Sequence, residues 1–289
     1  MSTNGGYAPY LISGPDGLLA QPAAKGPWGP LVVGHVLAGL IADSAERAVD
    51  DEEFAPARLT TDLCRPVFMD KPIRADAEIL RSGKRIRLVE VSLVQDDEPA
   101  VRGRALFLRR GVEPEQEIWH GEFTLPAAPN HLPQLPEGAP FFMDAHGWGS
   151  WDSQGRPADN KAPMPRHCWM REIRALIDDR PMSPFVRAAM AADVTNPMSN
   201  WGSAGLQFIN ADVTLSLGRE PVGVDVGIAT RSQFSADGVA TASATVFDLD
   251  GPIGNELLDA LSKGEAPDVA LKRLLAADSG FQQRQIGVI

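Results

Sequence analysis

Asp193 closes the apolar run Met190-Ala191-Ala192 and opens a polar stretch, Thr195-Asn196-Pro197-Met198-Ser199-Asn200. A carboxylate at the edge of an apolar helix loses part of its hydration, and it can then orient or deprotonate a water molecule. The same residue could do no more than cap the following turn. Basic residues gather at Arg81, Lys84, Arg85 and Arg87 and again at Arg102, Arg104, Arg109 and Arg110, eight of the 27 in the chain. On neighbouring hairpin strands they could hold phosphates, or they could be solvated charges that keep strand edges from pairing. No Gly-x-Ser-x-Gly elbow, Gly-x-Gly-x-x-Gly turn or P-loop occurs. Cys64 and Cys168 stand far apart, without metal-ligand spacing.

These residues need elements to position them, and the hydrophobic periods supply two similar sets. Over Val32–Val49, apolar residues recur at Val33, Val36, Leu37, Leu40 and Ala48, the spacing of one buried helix face. Four strands of a meander follow at Ala57–Leu63, Ile73–Leu80, Ile86–Leu93 and Val101–Leu108, with turns at Ser82-Gly83-Lys84 and Gln95–Glu98. Ser183-Pro184 then reads as an N-cap followed by a proline in the first helical position. Three strands come after it, at Ile209–Leu217, Val222–Ile228 and Val239–Phe247. The four tryptophans Trp148, Trp151, Trp169 and Trp201 are expected in a helix–sheet core, with Trp151–Gly155 entering a turn. Leu125–Pro140 holds five prolines and reads as a linker, because proline cannot donate to a helix or a central strand. The expected boundaries are 1–125, a linker 126–140, a second unit 141–262 and a tail 263–289. Beyond Asn255 only Val269–Ala277 carries a short helical pattern. A helix and then an antiparallel meander, twice, is an α+β arrangement and not a parallel βαβ one.

The chain has 289 residues, 44% of them hydrophobic, which suits two folded units with a core and not a disordered polymer. No run nears the ~18 apolar residues of a membrane span, and residues 1–6 lack the pattern of a secretory signal. Stable membrane insertion is therefore not expected. Two isolated cysteines fit a reducing compartment, so a cytoplasmic location is expected. A net charge of −11 disfavours nucleic acid as a partner, and it makes an anionic ligand a ligand bound against the protein's own field.

The residues Trp28-Gly29-Pro30-Leu31-Val32-Val33-Gly34-His35-Val36-Leu37 resemble the opening of the central helix in the acyl-CoA thioesterase II family. Arg58 to Arg65-Pro66 is similar to that family's strand ending in Arg-Pro, and Ile79–Leu93 to its arginine-bearing hairpin. Ala192-Asp193 falls at its Ser-Asp, Phe208-Ile209-Asn210-Ala211 near its Thr-Ile-Asp-His, and Val239–Val246 at its final strand. The resemblance implies a double hot-dog: two modules, each a helix wrapped by an antiparallel sheet, with the sheets paired edge to edge. It also implies hydrolysis of acyl-CoA thioesters to free acid and CoA, no metal or organic cofactor, and a homodimer or higher homo-oligomer.

Thioester hydrolysis by water needs a base, donors at the developing oxyanion and an apolar tunnel with cations for the CoA phosphates. By this resemblance Asp193 orients the water. The family's Gln falls at Thr245 and its Thr or Ser at Phe208, so Thr245 with Asn210, Asn196 or Gln207 supplies the polar partners. Gly34 and His35 stand at the start of the first helix, where backbone N–H groups could face the thioester carbonyl or where glycine simply permits close packing. Arg85 and Arg87 are the expected phosphate contacts. A catalytically silent acyl-CoA- or lipid-binding protein is the competing reading. A third is an enoyl-CoA hydratase, since Asp193-Val194-Thr195-Asn196-Pro197 resembles the hydratase Asp-x-Asn-Pro-x-His motif. The gap here is one residue longer, and Ser199 or Asn200 stands in place of His.

Overall fold

A computed structural model describes residues 7–119, 121–128, 142–146, 166–178, 180–202 and 205–262. The prolines beyond 128, Trp148, Trp151 with its expected turn, and the helix expected at 269–277 lie outside the described residues.

The first half opens with a hairpin, β1 (Leu11–Gly14) and β2 (Gly17–Ala20). Helix α1 (Gly34–Val49) follows, then β3 (Phe54–Leu63), β4 (Arg74–Ser82), β5 (Ile86–Gln95) and β6 (Glu98–Arg109). The second half contains β7 (Phe142–His146), β8 (His167–Arg171), α2 (Pro184–Ala192) and α3 (Thr195–Asn200). The short strands β9 (Trp201–Gly202), β10 (Gly205–Leu206) and β11 (Phe208–Asn210) lead into β12 (Asp212–Leu217), β13 (Asp225–Ala236), β14 (Val239–Asp248) and β15 (Gly251–Ser262).

Among the described residues, eleven strands form one antiparallel sheet in the order β4-β5-β6-β3-β12-β15-β14-β13-β8-β7, with β11 beside β15. The halves meet where β12 pairs β3, from Asp212 opposite Asp62 to Ser216 opposite Arg58. Such edge-to-edge pairing is what the double hot-dog expectation requires. The helices share one core: Val36, Leu40 and Ile41 of α1 lie with Val89, Val91 and Phe107 of the first half and Phe185, Ala189 and Met190 of the second. Phe107 and Phe185 meet edge to face at 5.7 Å. Ser183 caps α2 as expected, its Oγ accepting the Val186 N–H at 3.1 Å. No helix among the described residues is long and apolar enough to cross a membrane.

Three expectations change. The chain beyond Asn255 continues as β15, which lies between β12 and β14 in the middle of the sheet. Its core-facing residues Glu256, Leu258 and Ala260 alternate with exposed ones, but a glutamate in that series hides the period. The strand expected at Val222–Ile228 begins at Asp225 and extends to Ala236. Trp169 is buried as expected, but on the opposite face of the sheet from the helices. It meets Phe247 at 4.8 Å, and its Nε1–H donates to the Ala127 carbonyl at 3.0 Å. The neighbours of Trp169 in sequence, Cys168 and Met170, are the ones that join the helix-side core.

Candidate active site

Pro197 determines where Asp193 sits. A helix unbroken from α2 into α3 would need the N–H of residue 197 to reach the carbonyl of residue 193, and proline has no N–H. The helix accordingly stops at Ala192, and Asp193 stands at the break as the C-cap of α2. On the other side, α1 begins after Val33, whose side chain makes no cap. The orphan N–H groups of that first turn thus need an acceptor from elsewhere.

The Asp193 carboxylate supplies it. The His35 backbone N–H donates to Asp193, and Asn210 Nδ2 donates to Asp193 Oδ1 at 2.6 Å. Gly34 makes the approach possible, because a Cβ there would collide with Asp193 Oδ1. Further along, a Cβ at Gly39 would come within 2.6 Å of Met190 Cγ, so α1 and α2 pack antiparallel and nearly backbone to side chain. Asp193 is half-buried as a residue. Burial of its carboxyl pushes its pKa up to about 6, although the bonds from Asn210 and His35 act the other way. A carboxylate of that basicity, ionised near neutral pH, suits general-base work.

The other expected residues divide into two groups. Asn210 touches the carboxylate directly. Asn196 is buried beside it, but its amide is committed: Nδ2 donates to the Phe208 carbonyl at 3.2 Å and Oδ1 accepts from Asn200 at 2.9 Å. Asn200 in turn accepts from Gln233 Nε2 at 3.1 Å. This chain of amides fixes α3 against β11 and β13. The His35 ring is buried against Tyr10 at 5.2 Å, and burial lowers its pKa to about 3, so it is neutral.

Thr245 is not brought to Asp193. Ala244 and Val246 beside it belong to the helix-side core, so Thr245 faces the other way, where Arg231 Nε donates to its Oγ1 at 2.8 Å. A strand's period of two puts adjacent residues on opposite faces, and a placement off by one reverses the side. Arg85 and Arg87 are also remote. Arg87 lies 3.6 Å from Asp51, just past the C-terminal end of α1, and stacks over Phe54; Arg85 is exposed in the same region, its carbonyl accepting from the Arg109 N–H. Asp193 is at the other end of that helix, which at 16 residues is about 24 Å long. Other basic residues of that cluster pair with acids, Arg104 with Glu90 at 2.8 Å, Arg109 with Glu53 at 2.6 Å and Arg110 with Glu220 at 2.6 Å.

Two residues escaped the sequence reading. Thr195, fully buried at the start of α3, donates from Oγ1 to Glu256 Oε2 at 2.7 Å. Glu256 projects from the inner face of β15 between Leu215 and Ala244. The available signal was an acid at the same parity as Leu258 and Ala260.

The family model for the acyl-CoA thioesterase N-terminal domain matches residues 24–108, and that for the acyl-CoA thioesterase C-terminal domain matches residues 124–255. No curated protein matches the chain. Among solved structures, a TesB protein from Mycobacterium avium subspecies paratuberculosis is similar with a TM-score of 0.59 at 19% identity, over 82% of this chain and 89% of that one. An acyl-CoA thioesterase II, TesB2, from Mycobacterium marinum is similar with a TM-score of 0.57 at 17% identity, over 79% and 90%. A hot-dog protein from Alicyclobacillus acidocaldarius is similar with a TM-score of 0.59 at 16% identity, over 84% and 90%. At these identities the likeness is one of fold.

Proposed function

Because the chain belongs to the acyl-CoA thioesterase family, we propose that it hydrolyses fatty acyl-CoA thioesters with Asp193 as the water-orienting base. The observation that carries this reading is the Asp193 carboxylate held against the first turn of α1 by the His35 N–H and Asn210. A thioester carbonyl at that turn faces the positive end of a 16-residue helix. Water beside it loses a proton to Asp193 as its oxygen bonds to the carbonyl carbon. The carbonyl then re-forms, the C–S bond breaks, and the proton held by Asp193 passes to the departing sulfur. The products are a carboxylic acid and a thiol. Asn210 is a positioning residue, since it acts through the orientation of the carboxylate.

The competing reading, a silent acyl-CoA- or lipid-binding protein, is favoured by Phe208, which stands near the family's Thr or Ser and brings no side-chain donor. Thiol release from acyl-CoAs of graded chain length separates the two. Turnover by the wild type that drops about a thousandfold in Asp193→Asn, with the fold retained, is the expected result. Saturable binding without thiol release at any chain length overturns the hydrolase reading.

A further inference from the structure

Resting on that reading of the site, we propose that Glu256 is a second carboxyl of the active site, held neutral, whose Oε1 donates a hydrogen bond to the substrate carbonyl oxygen. Four observations converge on it. Glu256 is only 1% exposed, and it projects among core residues from the inner face of β15. One oxygen, Oε2, accepts from Thr195, two residues past the proposed base. The other, Oε1, is buried and has no hydrogen-bond partner among the described residues. No described ion pair includes Glu256, and the charges that act on it are those of two acids, Asp193 at the end of α2 and Asp212 on β12.

A buried carboxylate without a cation is strongly disfavoured, and two neighbouring carboxyls do not both ionise readily. Asp193 has the Asn210 amide, the His35 N–H and the start of α1 to stabilise its charge. Glu256 has one hydroxyl. The shared negative charge therefore settles on Asp193, and Glu256 keeps a proton. With Oε2 engaged as an acceptor, that proton lies on Oε1, the atom without a partner among the described residues. An unsatisfied buried polar atom destabilises a fold unless a ligand completes it. A carbonyl oxygen that gains negative charge as water adds is the acceptor it would meet. The proton stays on Glu256 throughout, so the bond changes are those of the Asp193 step.

The two acids thus take unlike parts, one ionised and one neutral, on the strength of their surroundings alone. Glutamine at 256 keeps a neutral donor of the same shape, and leucine removes it. The expectation is that Glu256→Gln keeps kcat within about fivefold and loses any decline in activity at high pH, where Glu256 would ionise. Glu256→Leu should lose about a hundredfold in kcat, with a melting temperature equal to or above that of the wild type. A Glu256→Leu variant that keeps kcat within about threefold overturns the assignment and leaves the hydrolase reading intact.

Infrared spectroscopy gives a readout independent of turnover. At neutral pH the wild type should show a protonated-carboxyl band that is absent from Glu256→Gln and shifts when a non-hydrolysable acyl-CoA thioether binds. A band unchanged by Glu256→Gln, or unmoved by the thioether, overturns the assignment. If the wild type releases no thiol from any acyl-CoA while that band shifts with the thioether, the hydrolase reading fails and the ligand contact stands.

Discussion

At Asp193, stability and activity pull in opposite directions. Burial favours the neutral form and pushes its carboxyl up from the ordinary 3.8 to about 6. Ionisation thus costs the folded protein more than the unfolded chain. The contribution of Asp193 to stability is full below the unfolded value and declines as pH rises from 3.8 to about 6. Activity that needs the carboxylate runs the other way, rising through pH 6 to a plateau. Asp193→Asn should therefore raise the melting temperature at pH 7 while removing turnover, a pairing that differential scanning calorimetry and thiol release will check. At Gly34 the same geometry gives a different outcome. Alanine is a better helix former than glycine, but its Cβ collides with Asp193 Oδ1. Gly34→Ala should lower kcat about a hundredfold with little loss of stability, because a displaced base is costly even when the helix is content.

At the scale of elements, the site depends on a helix that stops. Asp193 and Val194 already have right-handed helical backbone angles, so Pro197→Ala, by restoring an N–H that can reach the Asp193 carbonyl, would join α2 to α3 and shift the Asp193 side chain. The expected result is a kcat lower by about tenfold with unchanged or greater helicity by circular dichroism. Strand parity makes a second prediction. Thr245 faces away from the helices, so Thr245→Val should change turnover by no more than about twofold while losing its bond from Arg231.

Both cases show where the sequence could be read and where it could not. The alternation in Arg74–Ser82, Ile86–Gln95 and Glu98–Arg109 betrayed the strands, and Ser183-Pro184 betrayed the start of α2. Asp193 was legible because an acid ending an apolar run is conspicuous. Glu256 was not, because a charged residue at a core parity breaks the pattern by which a strand is recognised. Thr245 and its neighbours are all small or apolar, so nothing local fixed which of them faces the helices. For Arg85 and Arg87, clustering in sequence says nothing of which end of α1 the cluster meets.

At the scale of the whole molecule, the proposed site belongs to neither half alone. Gly34 and His35 come from the first, while Asp193, Asn210 and Glu256 come from the second. The halves are joined by the β3–β12 pairing and by a core to which α1, α2 and strands of both contribute. Separating them would expose β3 and β12 as unpaired edges and bare the apolar faces of both helices. Chains comprising residues 1–125 and 126–289 should each release no thiol from acyl-CoA, and each should aggregate or remain loosely packed when expressed alone. Co-expressed, they should recover a measurable part of the wild-type turnover, because the joint is a complete ladder plus a shared core and needs no covalent link across it. Introducing Asp193→Asn into the second fragment should remove the recovered activity, as should Gly34→Ala in the first. Turnover by residues 126–289 alone would show that the start of α1 is not part of the site, and turnover by residues 1–125 alone would show that Asp193 is not the base.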